Sequence, residues 1–248
     1  MSGHNKWSKI KRKKGALDAK RSKIFTKLIK EMSIAVRESG ANPDMNPRLR
    51  VALTNAKGMN MPKDTIQRAI NKASEKDAAN YTEVTYEGYA SGGIAVFVEC
   101  TTDNLNRTLS NIRLYFSKHG CELGSKGSLT FLFDRKGVFT VPKGHLNEDD
   151  FMMEVIDAGA EDVEFEDNIF TIYTSFENYG AMQKKLEAMN IEVENTELQR
   201  IPKSTTHVEL DTAKKVMRLI DTIEEDEDVQ NVFHNMEMTE ELANMIAG

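Results

Sequence analysis

An α+β chain is the fold class that the sequence predicts: an N-terminal three-helix domain followed by two ferredoxin-like α/β domains, the last inserted into the middle one. Three observations carry that expectation. Apolar residues recur at the 3–4 residue spacing of helices up to about residue 76. Beyond residue 80 the pattern changes to short, apolar or alternating runs separated by Gly, Asn and Asp, which read as strands. Residues 137–202 then run strand, helix, strand, strand, helix, strand, the ferredoxin-like order. The 248 residues are long for one core and suit two or three.

Residues 1–20 form a polar, basic arm with only Trp7, Ile10 and Leu17 as large apolar residues. A first helix is expected from Asp18, with Ile24, Phe25, Leu28, Ile29, Met32 and Val36 on one face, closed by Gly40 and Pro43. Asn46-Pro47 opens a second, with Asn as N-cap and Pro at the first helical position, ending at Gly58. Pro62 opens a third, which buries Ile66, Ala69, Ile70 and Ala73. Val84–Tyr89 and Ile94–Cys100 read as a hairpin about Ser91-Gly92-Gly93. A helix follows from about Asn104 with Leu105, Leu109, Ile112 and Phe116 as its stripe, and Asp103 suits its N-cap. Leu129, Phe131 and Phe133 alternate as a strand.

Within the inserted unit, Val138–Val141 is the first strand and Asn147–Ala158 a helix using Phe151, Met152, Val155 and Ile156. Two strands turn at Asp167-Asn168, a helix covers Glu177–Met189, and Val193–Arg200 closes the unit. The tail from 205 offers a strand, a helix through Val216, Ile220 and Ile223, a strand at Val229–Phe233 and a short terminal helix. The expected domains are therefore 1–80, a discontinuous middle domain of 81–136 with 203–248, and 137–202.

Charge is divided unevenly along this plan. Residues 1–80 hold 19 Lys and Arg against 7 Asp and Glu, a net of +12; the remainder holds 14 against 32, a net of −18. A basic front on an acidic body is expected where one part of a chain grips a polyanion. The candidate nucleic-acid contacts are Lys6, Trp7, Lys9, Lys11, Arg12, Lys13, Lys14, Lys20, Arg21, Lys23 and Lys27 in the arm and first helix, and Arg48, Arg50, Lys57, Lys63 and Arg68 beyond it. Arg forks onto phosphate, whereas Lys meets it as a point charge. Trp7 either stacks on an exposed base or pins the arm to the helical domain. The second and third helices also permit a helix-turn-helix reading, with Lys63, Asp64, Gln67 and Arg68 facing bases, but general phosphate contact fits the spacing better. A smaller polar site is expected where a strand meets a helix, at Asn104, Asn106 and Arg107.

Enzymatic classes find little support. Gly124-Ser125-Lys126-Gly127 has the wrong order for a P-loop, and the five histidines are scattered. Cys100 and Cys121 are too few for a disulfide framework or a cysteine zinc site, and Cys100 lies in an apolar run where a buried, inert thiol is expected. The acidic run Glu224–Asp228 lacks the alternation of a calcium loop and reads as a solvated helix end. No cofactor, no metal and no catalysis are expected. No apolar run is long enough to span a membrane, and the N-terminus has no apolar secretory segment, so a cytoplasmic protein is expected.

Several strings carry a family resemblance. They are Ser2-Gly3-His4-Asn5-Lys6-Trp7-Ser8-Lys9-Ile10-Lys11, Asp18-Ala19-Lys20-Arg21-Ser22-Lys23-Ile24-Phe25-Thr26-Lys27, Asn46-Pro47-Arg48-Leu49-Arg50 and Asn60-Met61-Pro62-Lys63-Asp64-Thr65-Ile66. Further along come Tyr86-Glu87-Gly88-Tyr89, Thr102-Asp103-Asn104-Leu105-Asn106-Arg107-Thr108 and Asp228-Val229-Gln230-Asn231-Val232. Together they resemble the YebC family over most of the chain, residues 137–202 in pattern more than in wording. Ser22 and Ala41-Asn42 depart from the family pattern, which is richer in Gly there, without removing a charge. The resemblance implies three domains, one helical and two α/β, and no enzyme activity. It implies either a DNA-binding transcriptional regulator, as bacterial members are described, or a ribosome-associated translation factor that binds ribosomal or transfer RNA and relieves stalling on proline-rich sequences. A mitochondrial relative is a translational activator of cytochrome c oxidase. The lack of a recognisable dimerisation segment favours the ribosomal reading, because helix-turn-helix proteins usually read paired half-sites.

Overall fold

The computed structural model describes residues 18–75 and 78–247. Among them are eight α-helices and two four-stranded sheets, an α+β fold. The chain divides into two compact units. Among the described residues, the first comprises 18–30, 79–134 and 201–247; the second comprises 31–75, 78 and 135–200.

The helical region forms as its periodicity requires. α1 runs Asp18–Ser39, α2 Pro47–Gly58 and α3 Lys63–Ala73. Gly40, at φ +83°, ends α1 by donating its N–H to the Val36 carbonyl at 2.7 Å. The Asn46 side chain caps α2 by accepting from Leu49 N, with Pro47 opening the helix. That Asn is itself buried, and its amide donates to the Ala35 and Gly40 carbonyls at 2.6 and 2.8 Å, so one side chain fixes both helix ends. Gly58 is needed for closeness as well as for stopping: a Cβ there would stand 1.8 Å from the Glu194 carbonyl oxygen.

In the first unit, β1 (Thr82–Ala90) and β2 (Ile94–Thr102) form the expected hairpin, paired along their whole length. α4 (Leu105–Lys118) leads to β3 (Glu122–Leu123), and α7 (Leu210–Glu224) leads to β8 (Val229–His234). The sheet order is β3-β1-β2-β8. On one face Ile94, Val96, Val98 and Cys100 pack with Ile112 and Phe116 of α4 and Val216 and Ile220 of α7. On the other, Ala95, Phe97 and Phe233 pack with Leu129 and Phe133. A terminal helix, α8, follows at Glu240–Ala247.

In the second unit, β4 (Phe133–Pro142), α5 (Glu148–Asp157), β5 (Ala160–Glu166), β6 (Ile169–Ser175), α6 (Tyr179–Ala188) and β7 (Asn195–Pro202) give the sheet order β5-β6-β4-β7. That is the ferredoxin-like arrangement. Phe139, Val141, Phe170 and Ile172 form its core with Phe151 and Val155 of α5 and Met182 and Leu186 of α6. The first sheet has the same arrangement permuted along the chain: β1, which comes first, fills the slot that β6 fills in the second.

Four local expectations are corrected. Leu129, Phe131 and Phe133 do not alternate in a strand. Residues 130–132 form a single 3-10 turn, and β4 continues unbroken from Phe133 through Val138–Val141. The reason is tertiary. The buried Glu87 carboxylate accepts from Gly127 N and Leu129 N at 2.7 and 2.6 Å, which coils the backbone so that Leu129 and Phe133 enter one core while Phe131 is 65% exposed. The segment near 205 is not a strand; it makes one isolated bridge, Thr206 with Met236. Leu105 and Ile156 lie outside the cores at 47% and 54% exposure, because Thr108 and Ile112, and Phe151 and Val155, already fill the buried faces of α4 and α5. The N-cap of α4 is Asn104 rather than Asp103, its side chain accepting from Arg107 N at 3.0 Å.

Candidate nucleic-acid interface

Lys6, Trp7, Lys9, Lys11, Arg12, Lys13 and Lys14 lie outside the described residues. Lys20 and Arg21 lie on the first turn of α1. Of the rest, Lys23, Lys57, Lys63 and Arg68 are exposed. Lys23, Lys57 and Lys63 make no ion pair among the described residues, which leaves their charges open to a polyanion. α3 presents Lys63, Gln67, Arg68 and Asn71 on its exposed side. Two of these groups are already engaged: Arg68 Nε donates to the Asp64 carbonyl at 3.1 Å, and the Gln67 amide donates to Asn71 Oδ1 at 2.9 Å.

The remaining cations work within the fold. Arg48 is clamped by two carboxylates, donating from Nε to Glu31 at 2.7 Å and from Nη1 to Glu38 at 3.0 Å. Arg50 donates to the carbonyls of Pro43 and Asp44 at 2.8 and 3.0 Å, bracing the α1–α2 connection. Lys27 Nζ donates to the Gln230 carbonyl at 3.0 Å.

Lys30 was not singled out by sequence reasoning, and it is buried. Its ammonium donates to the Asp228 carboxylate at 2.9 Å, the Glu227 carbonyl at 2.8 Å and the Thr101 carbonyl at 3.2 Å. The Tyr81 ring lies 5.6 Å away. Three oxygens satisfy the three donors of an ammonium, so the charge is compensated where it sits.

Asp228 is the centre of this cluster. It is buried, contrary to the expectation of a solvated acidic run. Its Oδ2 accepts from Arg107 Nη2 at 2.7 Å, Thr108 Oγ1 at 2.8 Å and Thr102 Oγ1 at 3.1 Å. Burial alone would raise its pKa, but the hydrogen bonds from Arg107, Lys30 and Thr108, with the charge of Lys30, hold it down at about 2. Arg107 is held protonated in return, by its bonds to Asp228 and to Asp103 at 2.8 Å. Of the smaller polar site, then, Asn104 caps a helix, Arg107 is neutralised by two carboxylates and Asn106 is exposed. Neighbouring Asp226 accepts from Tyr115 Oη at 2.9 Å and Asn111 Nδ2 at 3.0 Å. Two of the quoted strings, 102–108 and 228–232, thus meet at one buried carboxylate, a junction that neither string reveals alone.

Burial pushes the Cys100 thiol up to about 12, the chemistry of an inert packing residue. Among the described residues, no cluster of His, Cys, Asp and Glu is placed to hold a metal ion, and no helix is long and apolar enough to cross a membrane.

Comparison with known proteins extends the match over the chain. Residues 5–76 match the family model of the TACO1/YebC protein N-terminal domain, and residues 81–236 match that of the TACO1/YebC second and third domain. A protein of Amoebophilus asiaticus, named a probable transcriptional regulatory protein, is 49% identical over 95% of this chain and 98% of its own length. One of Rubrobacter xylanophilus with the same name is 46% identical over the full length of both. The crystal structure of a conserved hypothetical protein from Aquifex aeolicus superposes with a TM-score of 0.81 at 43% identity, covering 90% of this chain and 93% of that one. Sequence and fold agree over the same span, and the chain belongs to the TACO1/YebC family.

Proposed function

We propose that this chain is a non-catalytic, nucleic-acid-binding regulator of gene expression, with DNA as its target in transcriptional control. The carrying observation is the division of charge: +12 over residues 1–80 and −18 over the remainder. On this reading the chain acts as three domains, 1–80, 81–136 with 203–248, and 137–202. The first neutralises phosphates and the acidic two contact protein. The regulatory names of its relatives support the reading.

The contact is mainly electrostatic. Arg68 and Gln67 are engaged on their own helix, whereas Lys23, Lys57 and Lys63 offer point charges, which suits backbone phosphates better than base edges. That preference also supports a second reading, a ribosome-associated translation factor on ribosomal or transfer RNA, since phosphates are common to both polymers.

The experiment is crosslinking in cells with sequencing of attached DNA and RNA. Recurring promoter DNA supports the transcriptional reading; ribosomal or transfer RNA without recurring DNA sites replaces it with the ribosomal one. In vitro, neutralising Lys11, Arg12, Lys13 and Lys14 together should weaken binding and flatten its salt slope by up to about four units. Unchanged binding at every salt concentration would defeat the electrostatic mechanism.

A further inference from the structure

A cleft bordered by β1, β3 and α4 has no part in the reading above, and all its residues belong to the first unit. It encloses about 580 Å³. β1 pairs with β2 along its full length, but on its other edge β3 meets only Gly88 and Tyr89. The Glu87 carbonyl points to that edge, where it accepts from Gly124 N at 2.7 Å. Backbone polar groups alternate sides along a strand, so Thr85, two residues back, turns its N–H and C=O the same way. Thr85 lies past the end of β3 and lines the cleft. An open strand edge is a template for another strand.

The facing wall is one stripe of α4, with Leu109 and Arg113 a helical turn apart. That turn spans about 6 Å, close to the roughly 6.6 Å between same-side positions of an extended peptide. Leu105, 47% exposed, prolongs the apolar wall by another turn. Arg113 and Lys126 border the cleft, both exposed and neither in an ion pair among the described residues. The lining holds two carboxylates: Glu122 is exposed, whereas Glu87 is buried and bound by two backbone amides. The cleft therefore pairs a backbone edge, an apolar wall and two cations that stand outside any ion pair among the described residues.

We propose that this edge binds an extended segment of a partner protein, added to the sheet beside Thr85. The segment carries an apolar side chain for Leu109 and, two residues away on the same side, a carboxylate for Arg113. Main-chain hydrogen bonds provide affinity and the two side chains provide selection. The proposal is independent of the nucleic-acid reading.

The test uses the full chain and acetylated octapeptides of threonine with a Leu-Thr-Glu or Glu-Thr-Leu centre, followed by backbone amide shifts in NMR spectra. One of the two should shift Thr85 and its neighbours, and Arg113→Glu, at an exposed position, should weaken it by about tenfold or more. The same peptide with Lys for Glu should not bind. N-methylation of its edge-facing amides should abolish binding without altering the protein. No shift at Thr85 at millimolar peptide, or equal affinity for Arg113→Glu or for the N-methylated peptide, overturns the proposal. So does a peptide-free shift of the same amides with protein concentration, which would assign the edge to a second copy of this chain.

Discussion

Asp228 shows how one buried carboxylate organises residues far apart in sequence. It ties α1 through Lys30, the end of β2 through Thr102 and the start of α4 through Arg107 and Thr108. Removing its charge leaves the buried Lys30 ammonium without its ionic partner, so Asp228→Asn should destabilise the fold by about 3 kcal/mol in urea unfolding at pH 7. The pH dependence has a definite sign. The folded carboxyl, held at about 2, lies below its ordinary value, so its stabilisation is complete above about pH 4 and is lost as pH falls through 2. The acid limb of the stability curve over that window should therefore flatten in Asp228→Asn; an unaltered limb would assign it to other groups. Neither Lys30 nor Asp228 was legible as a site. A lysine off an apolar stripe and an aspartate in an acidic run both read as solvated until their partners are known.

Whole elements were more legible than the segments between them. The N-cap Asn46, the Pro47 start and the buried stripe of α3 follow from local rules and form as expected. The strap from Gly124 to Phe133 does not, because its shape is set by Glu87, some forty residues earlier. Gly58 makes the same point quantitatively. Within a helix, Gly→Ala ordinarily stabilises by about 1 kcal/mol. Here the added Cβ would collide with the Glu194 backbone at 1.8 Å, and backbone cannot rotate aside. Gly58→Ala should therefore lower stability by roughly 1–3 kcal/mol, measured as a lower thermal midpoint. A rise would mean that helix propensity outweighs the contact.

At the scale of the whole molecule, the net charge of −6 conceals an uneven division of charge along the chain. A chain with a sequence pI near 5.5 should nonetheless be retained on immobilised heparin at pH 7 and elute with salt. Passage without retention would show that the acidic remainder screens the basic front. Fold class, element types and the charge division were legible in the order of the residues, because periodicity, capping and formal charge are properties of neighbouring residues. The same order carried the family strings. Folding sets which cations are open and which are used internally. Arg48, Arg50 and Arg107 look identical to Lys57 and Lys63 in a list of basic residues, yet they are neutralised or hydrogen-bonded by partners that folding brings to them. Folding also sets where β1 keeps an unpaired edge, since a strand's second neighbour is chosen by the path of the rest of the chain. Local rules specify what a segment becomes; the availability of its polar groups depends on contacts that exist only once the chain has closed on itself.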